Sequence, residues 1–147
     1  MSENVCPDLL SHLTELFEAS FGPVDGKRLL HVHAPGRSEI SGNHTDHEGG
    51  HVIAAALDVA VDGLACANGT NVVRVASEGY PLFEVTLDSL DVQEDEKGTT
   101  ASLIRGMAHE VAAAGATPAG FDLAMTCTVP SGGGLSSSAA VEGAFGR

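Results

Sequence analysis

The sequence predicts an α+β domain, with a mixed, mainly antiparallel sheet and helices packed on it. Three observations carry that prediction. Short apolar stretches at Leu29–Ala34, Val59–Ala67, Val72–Ala76 and Leu82–Leu87 follow one another through turn residues, as locally paired strands do. Pro7–Ala19 and Thr99–Ala114 instead repeat their apolar residues at helical spacing. The order helix, strands, helix, strand, helix lacks the regular alternation of a parallel βαβ array.

In the first helix Leu9, Leu10, Leu13, Leu16 and Phe17 share a face, and Pro7 suits the first turn. It reads as a docking element without chemistry. Gly22-Pro23 and Asp25-Gly26 break the chain. Leu29–Ala34 then alternates as a strand and ends at Pro35-Gly36, where a polar loop is expected as far as Gly50. Val52–Leu57 is apolar and fits either a strand or a buried segment. Asn68-Gly69 joins Val59–Ala67 to Val72–Ala76, which predicts a hairpin, and Leu82–Leu87 extends the same sheet. Asp88–Gly98 is an acidic connection, read as solvated rather than as a metal loop because no fixed turn shapes it. The helix Thr99–Ala114 turns Leu103, Ile104, Met107, Val111 and Ala114 inward, and Phe121–Val129 is a further strand. A Gly-rich loop and an Ala-rich helix follow.

The 147 residues are expected to form one domain, 1–147, with 43% hydrophobic residues, a globular proportion. The net charge of −13 and the lack of a basic run exclude nucleic-acid and anionic-membrane partners. Such a charge suits a soluble cytoplasmic protein. Cys6, Cys66 and Cys127 are far apart and form no C-x-x-C, so neither a disulfide framework nor a zinc ribbon is expected. Glu3, Asp8, Glu15 and Glu18 are foreign to a signal peptide, and no apolar run reaches the ~20 residues of a membrane span.

Two loops carry the chemistry. The first runs from Ala34 to Gly50 and holds Arg37, Glu39, Asn43, His44, Asp46, His47 and Glu48. His44, Asp46, His47, Glu48 and His51 are metal-ligand types, although their spacing matches no metal motif. Local Asx-turns in a solvated loop are a second reading. The third is a polyol site, in which carboxylates and imidazoles bond sugar hydroxyls and Arg37 stabilises developing negative charge. The second loop is Pro130-Ser131-Gly132-Gly133-Gly134-Leu135-Ser136-Ser137-Ser138-Ala139-Ala140. A glycine turn entering a helix N-terminus presents free backbone N–H groups to an anion, most often a phosphate. A Walker loop needs a following lysine, and no lysine follows Lys97. A nucleophile elbow needs glycine where Ser138 stands. In a dinucleotide fingerprint Gly132 and Gly134 fit but Ser137 replaces the third glycine, which makes this a runner-up. A phosphate loop built on backbone N–H groups and serine hydroxyls remains.

Together the loops resemble the galactokinase branch of the GHMP small-molecule kinases. Pro130 to Ala140 is similar to the family's ATP-phosphate loop. Gly36-Arg37 followed by Gly42-x-His44-Thr45-Asp46 resembles the signature G-R-x-N-L-I-G-E-H-T-D-Y. The resemblance implies a GHMP kinase N-terminal domain, with ATP and Mg²⁺ as cofactors and galactose or a related sugar as substrate. It implies that Arg37 stabilises the transferred phosphoryl group, and that His44 and Asp46, with Asn43 beside them, bond the sugar. It further implies that Ser131, Gly132, Gly133, Gly134, Leu135, Ser136, Ser137 and Ser138 surround the triphosphate, with Ser138 on Mg²⁺. Transfer of this kind rests on positioning and charge neutralisation.

The departures are specific. Asn43 stands where the signature has glutamate, Glu39 where it has asparagine, and His47 where it has tyrosine. Galactokinases carry Trp-x-x-Tyr-x-x-Gly near the adenine pocket; here Thr100 and Leu103 replace both aromatics and Gly106 remains. The family's catalytic aspartate and C-terminal domain lie beyond the stretch that matches. The expectation is therefore an N-terminal portion of a galactokinase-like enzyme, inactive alone, that transfers the ATP γ-phosphoryl group to the sugar C1 hydroxyl. A non-catalytic sugar- or nucleotide-binding module and a GHMP kinase for another small alcohol are the alternatives. An apolar face left without its partner domain would drive association, so more than a monomer is expected in light scattering.

Overall fold

The computed structural model describes residues 6–42, 49–130 and 135–146. Helix α1 spans Pro7–Phe21, β1 Leu30–Ser41, β2 Ile53–Ala67, β3 Val72–Ser77, β4 Phe83–Thr86, α2 Thr100–Ala113, β5 Phe121–Cys127 and α3 Ser137–Phe145. A single 3-10 turn at Glu94–Glu96 precedes α2. The sheet order is β1-β2-β5-β3-β4. The pairs β1/β2, β2/β5 and β3/β4 are antiparallel, and β3/β5 is parallel. The α+β class, with a mixed and mainly antiparallel sheet, is therefore as the sequence predicts.

Alternation along the strands divides the core between the two faces. Leu64, Cys66 and Ala124 face α1, whose Leu13 and Phe17 are fully buried against them. Burial of two such side chains contributes roughly 1.5–3 kcal/mol each. On the other face Val32, Ala34, Val61, Leu123 and Met125 meet Ile104 of α2 and Ala140 and Ala144 of α3. The site is built on this second face, where α3 crosses β1 and Gly143 faces Ala34.

Three sequence expectations are corrected. The hairpin between residues 59–67 and 72–76 does not form, because β5 lies between β2 and β3. Leu123, Ala124 and Met125 are buried on both sides, which demands a central strand. Asn68, read as a hairpin residue, serves a different contact. Its Nδ2 donates to Asp122 Oδ1 at 2.8 Å and to Val72 O at 2.9 Å, carrying the chain past the end of β5. Second, the loop expected from Pro35 is strand as far as Ser41. Pro35 is admitted because β1 is an edge strand, and residues 52–57, ambiguous in sequence, supply its partner. Third, Val111 of α2 and Ala114 at its C-cap are exposed. The buried side of that helix runs through Ile104, Arg105 and Ala108 instead.

Candidate active site at the β1–α3 junction

Strand β1 passes under the start of α3, and Gly36 makes the approach possible. A Cβ there would lie 3.2 Å from Leu135 O, 3.3 Å from Val129 Cγ1 and 3.3 Å from Val59 O. The ladder with β2 is irregular at this point: Pro35 faces Ala60, but Arg37 faces Ala56. Arg37 comes out of this slot. Its N–H donates to Leu135 O at 3.1 Å, and its Nη2 reaches Ser136 Oγ at 3.4 Å. The two residues are 99 apart in sequence, so the fold joins the two loops singled out by their composition.

Ser136 is the N-cap residue of α3 and has φ 59 and ψ 45. Among the described residues it is the one non-glycine residue at positive φ, a conformation costing about 1–2 kcal/mol. Strain of this size persists where surrounding contacts over-determine it, and it clusters at functional sites. The Ser136 side chain makes no capping bond. Among the described residues the first-turn N–H groups at Ser137, Ser138 and Ala139 have no hydrogen-bond acceptor, and they lie at the positive end of the helix dipole. Ser138 is exposed in that turn, and the Arg37 side chain that reaches Ser136 is exposed too. Uncapped N–H groups, hydroxyls and a guanidinium form a donor set suited to phosphate oxygens. A serine hydroxyl is also the hard oxygen donor that Mg²⁺ accepts alongside phosphate and water. Among the described residues no three His, Cys, Asp or Glu side chains group to hold a metal.

Leu135, Ser136, Ser137, Ser138 and Arg37 are thus brought to one place. Asn43, His44 and Asp46, with Ser131, Gly132, Gly133 and Gly134, lie outside the described residues. The base of the connection that carries Asn43, His44 and Asp46 is set by Gly42. At φ 129, a Cβ there would stand 2.5 Å from Val52 Cγ1.

Asp122, Arg105 and Asp62 hold their charges in contacts away from this junction. Asp122, 4% exposed, accepts from Arg74 Nε at 2.7 Å and Nη2 at 2.6 Å. Burial pushes its pKa up, yet the bonds from Arg74 and Asn68 and the charges of Arg74 and Lys27 hold it below the usual carboxylate range. Arg105 donates to both oxygens of Glu96 at 2.7 and 2.8 Å and to the carbonyls of Thr86 and Ser89. Asp62 Oδ1 bonds His33 Nδ1 at 2.8 Å and His31 Nε2 at 3.2 Å, on the sheet face away from α3.

A groove of about 380 Å³ lies beside α2, bordered by Asp91, Gln93, Lys97, Ser102, Gly106 and His109. No residue of β1 or α3 lines it. Gly106, the position kept from the aromatic pattern, lines the groove, while Thr100 and Leu103 do not. Among the described residues no helix is long and apolar enough to cross a membrane.

Known proteins resemble this chain in sequence and in backbone. The family model for the galactokinase galactose-binding signature matches residues 15–65. A galactokinase of Lactococcus lactis subsp. cremoris is 36% identical over 91% of this chain, which covers 34% of that relative. The crystal structure of Lactococcus lactis galactokinase complexed with galactose superposes with a TM-score of 0.81 at 33% identity, over 91% of this chain and 34% of that one. Mevalonate kinase of Methanococcus jannaschii, 15% identical, shares the fold with a TM-score of 0.63 over 84% of this chain and 39% of its own. The chain spans about a third of the length of the curated relatives it matches. By signature, by identity and by backbone, this chain is similar to about a third of the length of these galactokinases, and its fold is shared with mevalonate kinase.

Proposed function

We propose that this chain is the sugar- and triphosphate-binding part of a galactokinase-like enzyme, equivalent to a GHMP kinase N-terminal domain. The enzyme transfers the γ-phosphoryl group of ATP to the C1 hydroxyl of galactose or a related sugar. The observation that carries the reading is the meeting of Arg37 with Ser136 at the uncapped start of α3. The galactose-binding signature over residues 15–65 supports the sugar.

Bound ATP supplies the phosphoryl group. The chain's own residues do the rest. The N–H groups and hydroxyls from Leu135 to Ser138, with Ser131 and Gly132 to Gly134 before them, hold the triphosphate. Ser138 offers an oxygen to Mg²⁺. Arg37, fixed at its backbone by Leu135 O, turns its charge to the side on which α3 begins and neutralises the group in transit. Asn43, His44 and Asp46 orient the sugar, with Asn43 donating where a carboxylate would only accept. The exposed Ile40 and Ile53 of the β1–β2 ribbon support self-association of the chain.

Calorimetric titration with galactose and other hexoses tests the reading. Galactose is expected to bind, and Asp46→Ala to abolish the signal. Heat from another sugar but none from galactose would reassign the substrate, and no heat from any sugar would remove the reading.

A further inference from the structure

Strands β2 and β5 separate at one residue. Val61 and Cys127 are their last ladder pair, and Ala60 and Thr128 stand next in register. In an antiparallel pair of this type each residue gives its N–H to the other's carbonyl. Thr128 keeps its half, its N–H donating to Ala60 O at 2.9 Å. The other half is rerouted. Ala60 N–H donates to Thr128 Oγ1 at 2.9 Å, and that hydroxyl donates back to Ala60 O at 3.2 Å. A side chain has taken the place of its own carbonyl, which lets the backbone leave the sheet towards Pro130 and the glycine loop.

The neighbours of this latch are the walls of the Gly36 slot. Val59 precedes Ala60, and its carbonyl oxygen stands 3.3 Å from where a Gly36 Cβ would lie. Val129 follows Thr128, and its Cγ1 stands at the same 3.3 Å. Leu135 O closes the slot at 3.2 Å and receives the Arg37 N–H. The separation of residues 60 and 128 therefore sets the width of the gap from which Arg37 emerges.

We propose that Thr128 is a positioning residue, whose hydroxyl latches the entry of the glycine loop to β2 and so aims Arg37 at the start of α3. The inference rests on the reading of Arg37 and Ser136 as the phosphoryl-handling pair. The hydroxyl must accept and donate at once, which serine can do and the isosteric valine cannot.

Backbone hydrogen–deuterium exchange on the whole chain, with neither nucleotide nor sugar present, tests it. The result stands whether or not the chain handles phosphoryl groups. In Thr128→Val the amides of Ala60 and Arg37 are expected to exchange roughly fivefold faster or more, while Val73 and Val75 in β3 keep their rates. Thr128→Ser is expected to restore both amides to near the parent rates. Faster exchange at Ala60 alone would overturn the proposal, because the latch would not reach Arg37. Loss of protection throughout, including failure to fold, would also overturn it, leaving Thr128 a general stability residue.

Discussion

Arg74 and Arg37 belong to the same sheet and are used in opposite ways. Arg74 sits on β3, inside the sheet. It gives two N–H groups to Asp122 and stacks over the Phe21 ring, 5.2 Å from its centroid. Arg37 sits on the outer part of β1. Its backbone is fixed to Leu135 O, while its guanidinium, among the described residues, meets only the Ser136 hydroxyl at 3.4 Å. Where β2, β5 and β3 lie side by side, charge is neutralised inside the fold. At the junction of β1 and α3 the backbone of Arg37 is fixed and its side chain is exposed. A positively charged side chain on a rigid support, beside uncapped helix N–H groups, is pre-organised for an anion.

The largest effect on stability is expected in the first of these regions. Asp122→Asn leaves Arg74 without its carboxylate, and should cost about 2–4 kcal/mol, the range for a broken buried pair discounted for the partly exposed arginine. Denaturant unfolding measures it. The pH dependence has a definite sign. Asp122 has a folded pKa below the usual range, so its contribution is complete above the unfolded value of about 3.9 and is lost as pH falls through the folded value. Asp122→Asn should flatten that acid arm. An unchanged acid arm would remove Asp122 from the account of stability.

How far each region was legible in the sequence follows from the same contrast. The glycine loop and the Arg37 loop were visible because phosphate and sugar chemistry need residue types that packing does not. Their meeting was implied by the resemblance alone and not by composition or spacing, because it depends on the crossing of α3 over β1 and on three atoms around Gly36. Helices α1 and α2 followed from their periodicity to within two residues at their ends. The strand order did not. Asn68-Gly69 has the form of a hairpin turn, but the two-sided burial of Leu123, Ala124 and Met125 and the bonds of Asp122 to both Arg74 and Asn68 place β5 between β2 and β3. Likewise the burial of Arg105 rests on the carbonyls of Thr86 and Ser89, which are far from it in sequence. Long-range polar contacts of this kind leave no periodic trace.

An intermediate effect is expected at the slot itself. Gly36→Ala places a methyl group against two carbonyl oxygens and Val129 Cγ1, all at 3.2–3.3 Å. None of these is the free end of a flexible side chain, so an overpacking cost of about 1–3 kcal/mol is expected, read in thermal unfolding. A cost under about 0.5 kcal/mol, the range of ordinary surface changes, would mean that the slot is loose and that the fixed backbone of Arg37 is not what separates the two regions.

The smallest effect on stability is expected at Arg37, and it is the most informative. The side chain is exposed, and its contact with Ser136 is at the outer limit of a hydrogen bond. Arg37→Ala should therefore shift unfolding by no more than about 0.5 kcal/mol in either direction. If the guanidinium stabilises a phosphoryl group in transit, the same substitution in a catalytically active protein of galactokinase length should lower kcat by about 10²–10³-fold. A side chain can show both results only if its interactions are reserved for a bound ligand. A loss of stability on the scale expected for Asp122→Asn would place Arg37 with the structural charges instead, and the contrast with Arg74 would disappear.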